Sequence, residues 1–270
     1  MKTTSRKRLL ISSVAMLLVA MLALGTATFA WFTSNTSATA DSINVKTIKA
    51  SDLQVASSKL TDWGTKLHYN NTNNVLIPAS SADGTKWFTA TAAEKNKKDR
   101  KGNFEPVDIT APNNTYVFSE ALNIRNNGEA DVKDVTIAFT MNEAAAGGKY
   151  ARVAVVPVAS NNANPAAGKF DEASTDGTAK YIFDTDGIAY NPASAINAEG
   201  TEIKPNTTCS VSVGDLAGKK VVNGATTYDV RYYKIYVWFE GQDADCFADN
   251  AGNELPQLSF SITGNTDSQV

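Results

Sequence analysis

The chain has one histidine, His68, in 270 residues. That scarcity weighs against the commonest hydrolytic chemistries. A nucleophilic triad needs an imidazole beside its Ser or Cys, and a His-Glu-x-x-His zinc site needs two. His68 lies in KLHYNN with no second ligand-grade partner beside it, so it reads as an ordinary surface or edge residue. GDLAGKK (Gly214–Lys220) is no phosphate loop. It has three residues between its glycines where four are needed, and Lys where Ser or Thr should follow Lys219. The carboxylate pairs Asp184/Asp186 and Glu240/Asp243 are of the type that hydrolyses sugars, but nothing in the sequence sets either across a cleft. No enzymatic activity is expected.

Also missing are a second long apolar run, a fixed-period repeat, and any long stretch with a 3.6-residue apolar period. These absences exclude later membrane spans, solenoids and helical bundles. The one apolar run is Val14–Leu24, after a start carrying Lys2, Arg6, Lys7 and Arg8 and before GTATFA. A basic start, a short apolar helix and a small-residue exit form a secretory signal peptide. Thr28 and Ala30 suit positions −3 and −1 of a cut that leaves Trp31 first. The alternative is an uncleaved anchor, for which the run is short, since Ser12 and Ser13 interrupt its start. Cleavage takes the net charge from −3 to −7. The expected product is secreted or held at the cell surface, with no membrane segment after the cut and no electrostatic reason to bind nucleic acid.

What the rest of the chain has in plenty is Thr, Ser, Asn, Ala, Val and Gly, which is the profile of a β protein with polar loops. Alternating or apolar stretches recur between turn residues. They are INVKTI (43–48), LQVAS (53–57), YVFSEALNI (116–124), VTIAFT (135–140), YARVAVVPV (150–158), YDVRYYKIYVWFEG (228–241) and LSFSIT (258–263). Asn127-Gly128 reads as a turn, because both residues tolerate positive φ. The expectation is a single all-β domain over residues 31–270. Its architecture would be a two-sheet β-sandwich of jelly-roll or Greek-key type, preceded by the signal helix of residues 1–30. Long loop or hairpin insertions are expected near residues 92–103 and 160–200.

Some residues stand out as candidates for function. If Tyr233, Ile235, Val237 and Phe239 face the core, then Tyr232, Tyr236 and Trp238 share the other face. That face would stack on glycans or dock a subunit, unless loops of the same chain cover it. Asp243, Asp245 and Asp249 lie in an oxygen-rich loop that suits calcium, without EF-hand spacing, or is a plain polar turn. Cys209 and Cys246 are a disulfide candidate, given export. A bridge would close a loop of about 37 residues and add roughly 3–4 kcal/mol. The other reading is two separate small hydrophobes.

Three stretches together resemble a known group. GTATFAWFTSNTSA is similar to signal regions cut by the dedicated (SipW-type) peptidase of TasA-type matrix proteins, with Gly25, Thr28, Phe29, Ala30, Trp31 and Phe32 matching. LIPASSADGTKWF (Leu76–Phe88) and VWFEGQDADC (Val237–Cys246) are similar to motifs of exported members of the same group. The chain thus resembles the TasA/camelysin family of Gram-positive bacteria: secreted jelly-roll proteins, several of which build biofilm-matrix fibres. The resemblance implies the signal peptidase as a partner during export, then self-association or association with related matrix proteins. It also implies that the new N-terminal segment completes a sheet of the next subunit. Trp31, Phe32 and Ile43 would anchor that donated strand. The cysteines, which the fibre-forming prototype does not require, and the Asn-rich acidic C-terminal half depart from the pattern. A carbohydrate- or host-ligand-binding module is the alternative function.

Overall fold

The computed structural model describes residues 42–48, 52–70, 76–90, 104–111, 114–141, 150–184, 209–241, 243, 246, 255 and 258–266. The signal region, the 92–103 loop and residues 185–200 lie outside them. The described residues are all-β, without a helix. In chain order the strands are β1 (Ser42–Ile48), β2 (Leu53–Ala56), β3 (Lys66–Asn70), β4 (Ser80–Ser81), β5 (Trp87–Ala90) and β6 (Phe104–Val107). Then come β7 (Val117–Asn126), β8 (Val132–Met141), β9 (Ala151–Pro157), β10 (Ile182–Phe183) and β11 (Ser210–Leu216). β12 (Lys220–Val222), β13 (Ala225–Thr227), β14 (Val230–Phe239) and β15 (Leu258–Thr266) complete the set.

Two five-stranded sheets dominate. One has the order β11-β8-β15-β1-β3, the other β10-β9-β14-β7-β2. A three-stranded sheet β4-β5-β6 and the hairpin β12-β13 are separate. Among the described strands every ladder is antiparallel except that of β1 with β15, which run parallel, Asn44 opposite Ser259 and Ile48 opposite Thr263.

The period-2 alternation explains the core. Val135, Ile137 and Phe139 of β8 and Leu258, Phe260 and Ile262 of β15 supply one side. Leu122 and Ile124 of β7, Val153 and Val155 of β9, and Tyr233, Ile235 and Val237 of β14 supply the other. One apolar cluster therefore draws on both large sheets, and each such side chain adds roughly 1.5–3 kcal/mol when fully buried. β9 is apolar on both faces because it is buried on both. Val153 and Val155 join the first cluster, and Ala154 and Val156 join a second on the opposite face. Pro157, which lacks an N–H, ends β9.

The Asn127-Gly128 turn forms, but not as expected. Neither residue is among those with positive φ, and the turn carries the chain from one large sheet to the other rather than closing a hairpin. Asn126 holds it: its Oδ1 accepts from the Gly128 N–H at 2.8 Å and its Nδ2 donates to the Ala130 carbonyl at 2.7 Å. The Asn127 N–H donates to the Asp52 carbonyl at 2.8 Å. An Asx side chain here replaces the left-handed backbone a two-residue hairpin would need.

Candidate functional site

The LIPASSADGTKWF stretch folds into the β4–β5 hairpin. Its turn is built by side chains. Asp83 Oδ1 accepts from the N–H groups of Thr85 (2.8 Å) and Lys86 (2.7 Å), and Ser81 Oγ accepts from the Gly84 N–H (2.9 Å). Burial works against charge on Asp83, but these N–H groups and the Thr85 hydroxyl outweigh it and hold the carboxyl below its usual value. Gly84 has φ +71°, and a Cβ there would stand 2.5 Å from Phe170 Cδ2. The Asp-Gly pair is therefore fixed twice, by turn geometry and by close approach.

This hairpin lies against the end of β14. The Ala79 N–H donates to the Phe239 carbonyl at 2.9 Å, and the Gly241 N–H donates to the Ala79 carbonyl at 3.2 Å. Trp87 enters an aromatic cluster, its ring centroid 5.3 Å from Trp238, 6.0 Å from Tyr236 and 6.0 Å from Phe170. The Trp87 and Trp238 rings meet edge to face, which suits their quadrupoles. Ser80 Oγ donates to Glu240 Oε1, and Trp238 Nε1 donates to Glu240 Oε2 at 2.9 Å. The two internal stretches that carry the family resemblance thus form one buried unit.

A charged cluster extends it. Arg152, on β9, is fully buried. Its guanidinium pairs with Asp243 and approaches Asp184 at 3.5 Å, and Nη1 donates to the Ala151 carbonyl at 3.0 Å. Burial opposes its charge, but Asp184, Asp243 and Glu240 outweigh that and hold Arg152 above the ordinary guanidinium value. With all four side chains buried, this cluster offers no surface to a substrate. It ties β9, the segment after β10 and the turn after β14 together.

The face proposed for glycans or a subunit is largely closed, which corrects the first of its two readings. Tyr236 and Trp238 are fully buried beneath Trp87 and Phe170, and only Tyr232 of the three is partly exposed. The cover comes from the β4–β5 hairpin and from the 160–184 segment of the expected insertion, through Phe170, Ala173 and Ala179.

The lower half of the same sheet face is partly exposed, although Ala121 and Asn123 on it are buried. Gln54, Arg125 and Val230 stand in one register row across β2, β7 and β14, with Tyr232 and Lys234 further along β14 on that face. The Arg125 guanidinium carbon lies 4.4 Å from the Trp63 ring centroid and 4.2 Å from that of Tyr228. Its Nε and Nη2 donate to Gln54 Oε1 at 2.9 and 2.7 Å. Partial burial lowers its pKa, and Tyr228 opposes that shift.

The other candidates fall as follows. Thr28, Ala30, Trp31, Phe32, Asp245 and Asp249 lie outside the described residues. Ile43 is in β1, opposite Tyr69 of β3. Asp243, suggested as a calcium ligand, instead faces Arg152. Among the described residues no group of three or more His, Cys, Asp or Glu is placed to hold a metal ion. Cys209 packs at the margin of the main cluster. Cys246 is buried in a third, with Leu76, Tyr150 and Phe239. His68 is exposed on β3.

Arg152, Phe170 and the Trp63–Arg125–Tyr228 group were not anticipated. The signal for Arg152 was present: a lone cation inside YARVAVVPV, a strand apolar on both faces, requires buried carboxylates. Trp63 lies in a loop, outside any strand pattern, so its meeting with Arg125 had no sequence signature.

Compared with known proteins, the chain matches no family model and no curated protein.

Proposed function

We propose that the chain is an exported, non-enzymatic structural protein of the TasA/camelysin type, a biofilm-matrix or fibre-forming subunit of a Gram-positive cell surface. In this reading the leader is cut after Ala30, and the two large sheets pack face to face as a jelly-roll or Greek-key sandwich. The observation that carries the proposal is the position of β1. The first of the described strands occupies an inner place in its sheet, paired on both sides with β15 and β3 of its own chain, so donation here means exchanging β1 for the same strand of another copy. Another copy's β1, led by Trp31 and Phe32, would fit that place with the same ladder. Calcium at the Asp243–Asp249 loop is not needed for this reading, and Asp243 is already engaged by Arg152. The test is a negative-stain time course of processed protein and of the same protein lacking Trp31–Ala40. The processed form is expected to build fibres and the shortened form to stay dispersed. Equal assembly of the two would refute strand donation.

A second reading, a secreted carbohydrate- or host-ligand-binding module, is favoured by one observation: the partly exposed lower half of the sheet face, with Trp63, Arg125, Tyr228 and Tyr232.

A further inference from the structure

Arg125 differs from the other buried or half-buried arginines of the described residues in its partners. Arg152 is met by Asp184 and Asp243, and Arg231 pairs with Asp229. Arg125 meets two aromatic rings and the neutral oxygen of Gln54. A guanidinium has five N–H donors. Two are spent on Gln54, and three are left. No carboxylate among the described residues forms an ion pair with it. Gln54 and the two rings hold the side chain in place, so little rotamer freedom remains to be lost when a ligand arrives.

We infer that Arg125, with Trp63 and Tyr228, is a binding site for the carboxylate of an acidic saccharide. The guanidinium fork suits a planar carboxylate, which it meets with two parallel hydrogen bonds. Tyr232, with Trp63 and Tyr228, offers partly exposed ring surface to sugar C–H groups. Lys234, whose Nζ donates to Asn164 Oδ1 at 3.1 Å, brings a second cation to the same face. Phosphate or sulfate would also meet an arginine fork. The aromatic rings beside it favour a ligand whose carboxylate is attached to a sugar ring that presents a C–H face. The site acts against a net charge of −3 in the full chain, which becomes −7 once the four basic residues of the leader are cut off, so contact depends on this local group rather than on the general field of the protein.

The inference rests on the ligand-binding reading and is independent of assembly. The probe is a short oligogalacturonate, with its fully methyl-esterified form as the matched control. The two share rings and hydroxyls and differ in the carboxylate. Binding is followed by calorimetry and, in a Trp31→Phe background, by quenching of the partly exposed Trp63, with Trp87 and Trp238 buried. The acid is expected to bind at least tenfold more tightly than the ester. Arg125→Gln should erase that preference while leaving the thermal transition near its original place. Arg125→Lys should recover only part of it, because an ammonium keeps the charge without the fork. Equal binding of acid and ester, or an undiminished preference in Arg125→Gln, overturns the inference and leaves the wider ligand reading standing. Binding of neither saccharide overturns both.

Discussion

Replacing Arg152 by Met tests the buried unit at its most charged point. The substitution nearly preserves volume, so it opens little cavity, but it removes the cation that faces Asp184 and Asp243. Breaking a buried pair by deleting one partner costs about 3–5 kcal/mol, because the remaining charge stays out of water. Here two paired carboxylates, with Glu240 close enough to act on Arg152, would be left. The upper part of that range is therefore expected. Against a typical domain stability of about 5–15 kcal/mol, the variant should fold at low temperature with a much reduced urea midpoint. Equilibrium urea unfolding, read by the fluorescence of Trp87 and Trp238, measures the loss. The triple variant Arg152→Met/Asp184→Asn/Asp243→Asn should recover part of it, since amides cost less to bury than carboxylates deprived of Arg152. A loss of under about 1 kcal/mol in Arg152→Met, or no recovery in the triple variant, would show that the cluster is hydrated and the reasoning wrong.

Gly84→Ala should destabilise by roughly 1–3 kcal/mol, because it forces a side chain into φ +71° and onto Phe170. Thermal unfolding checks it, and an unchanged midpoint would mean the hairpin is not held as described. Asp83→Ala should cost about 1 kcal/mol at neutral pH after screening. Because the folded carboxyl titrates below its unfolded value, its contribution is present above the unfolded pKa and fades as pH falls through the folded one, so wild type and variant should converge in acid. Tyr233 is pushed up to about 12, first by burial and then by nearby Tyr181, with Arg231 opposing. Burial pushes Tyr69 and Tyr236 up further. These phenols are neutral in the fold, so their contribution is intact below the ordinary tyrosine value near 10 and is lost as pH rises through the folded one. Absorbance at 295 nm should therefore show part of the tyrosine ionising only together with alkaline unfolding, and a single smooth transition near pH 10 would contradict their burial.

Much of the strand content was legible because alternation is a direct imprint of a two-sided sheet. Phe118, Leu122 and Ile124, then Val135, Ile137 and Phe139, then Leu258, Phe260 and Ile262, all sit where their period placed them. The short strands β3, β4, β5 and β6 left too few alternating positions to stand out. Partnerships across the chain were harder. Trp238 alternates with the core face and so reads as a surface aromatic, until a hairpin 150 residues earlier covers it. Arg152 and Asp243 show the same difficulty: each is visible as a charge, and neither names its partner. Pairing across long sequence separations is set by topology, which local pattern does not encode.

Lys46 and Lys66 stand opposite each other in the β1–β3 ladder, which gives the exchange of β1 a direct readout. Processed protein, half of it labelled with ¹⁵N, is mixed under dissociating conditions, allowed to assemble, and treated with a short amine cross-linker. Strand exchange predicts that about half of the Lys46–Lys66 cross-links in the assembled fraction join labelled to unlabelled chains, as for any swapped element, while those in the monomer fraction join like to like. Assemblies in which every Lys46–Lys66 cross-link stays within one isotope would contradict the account.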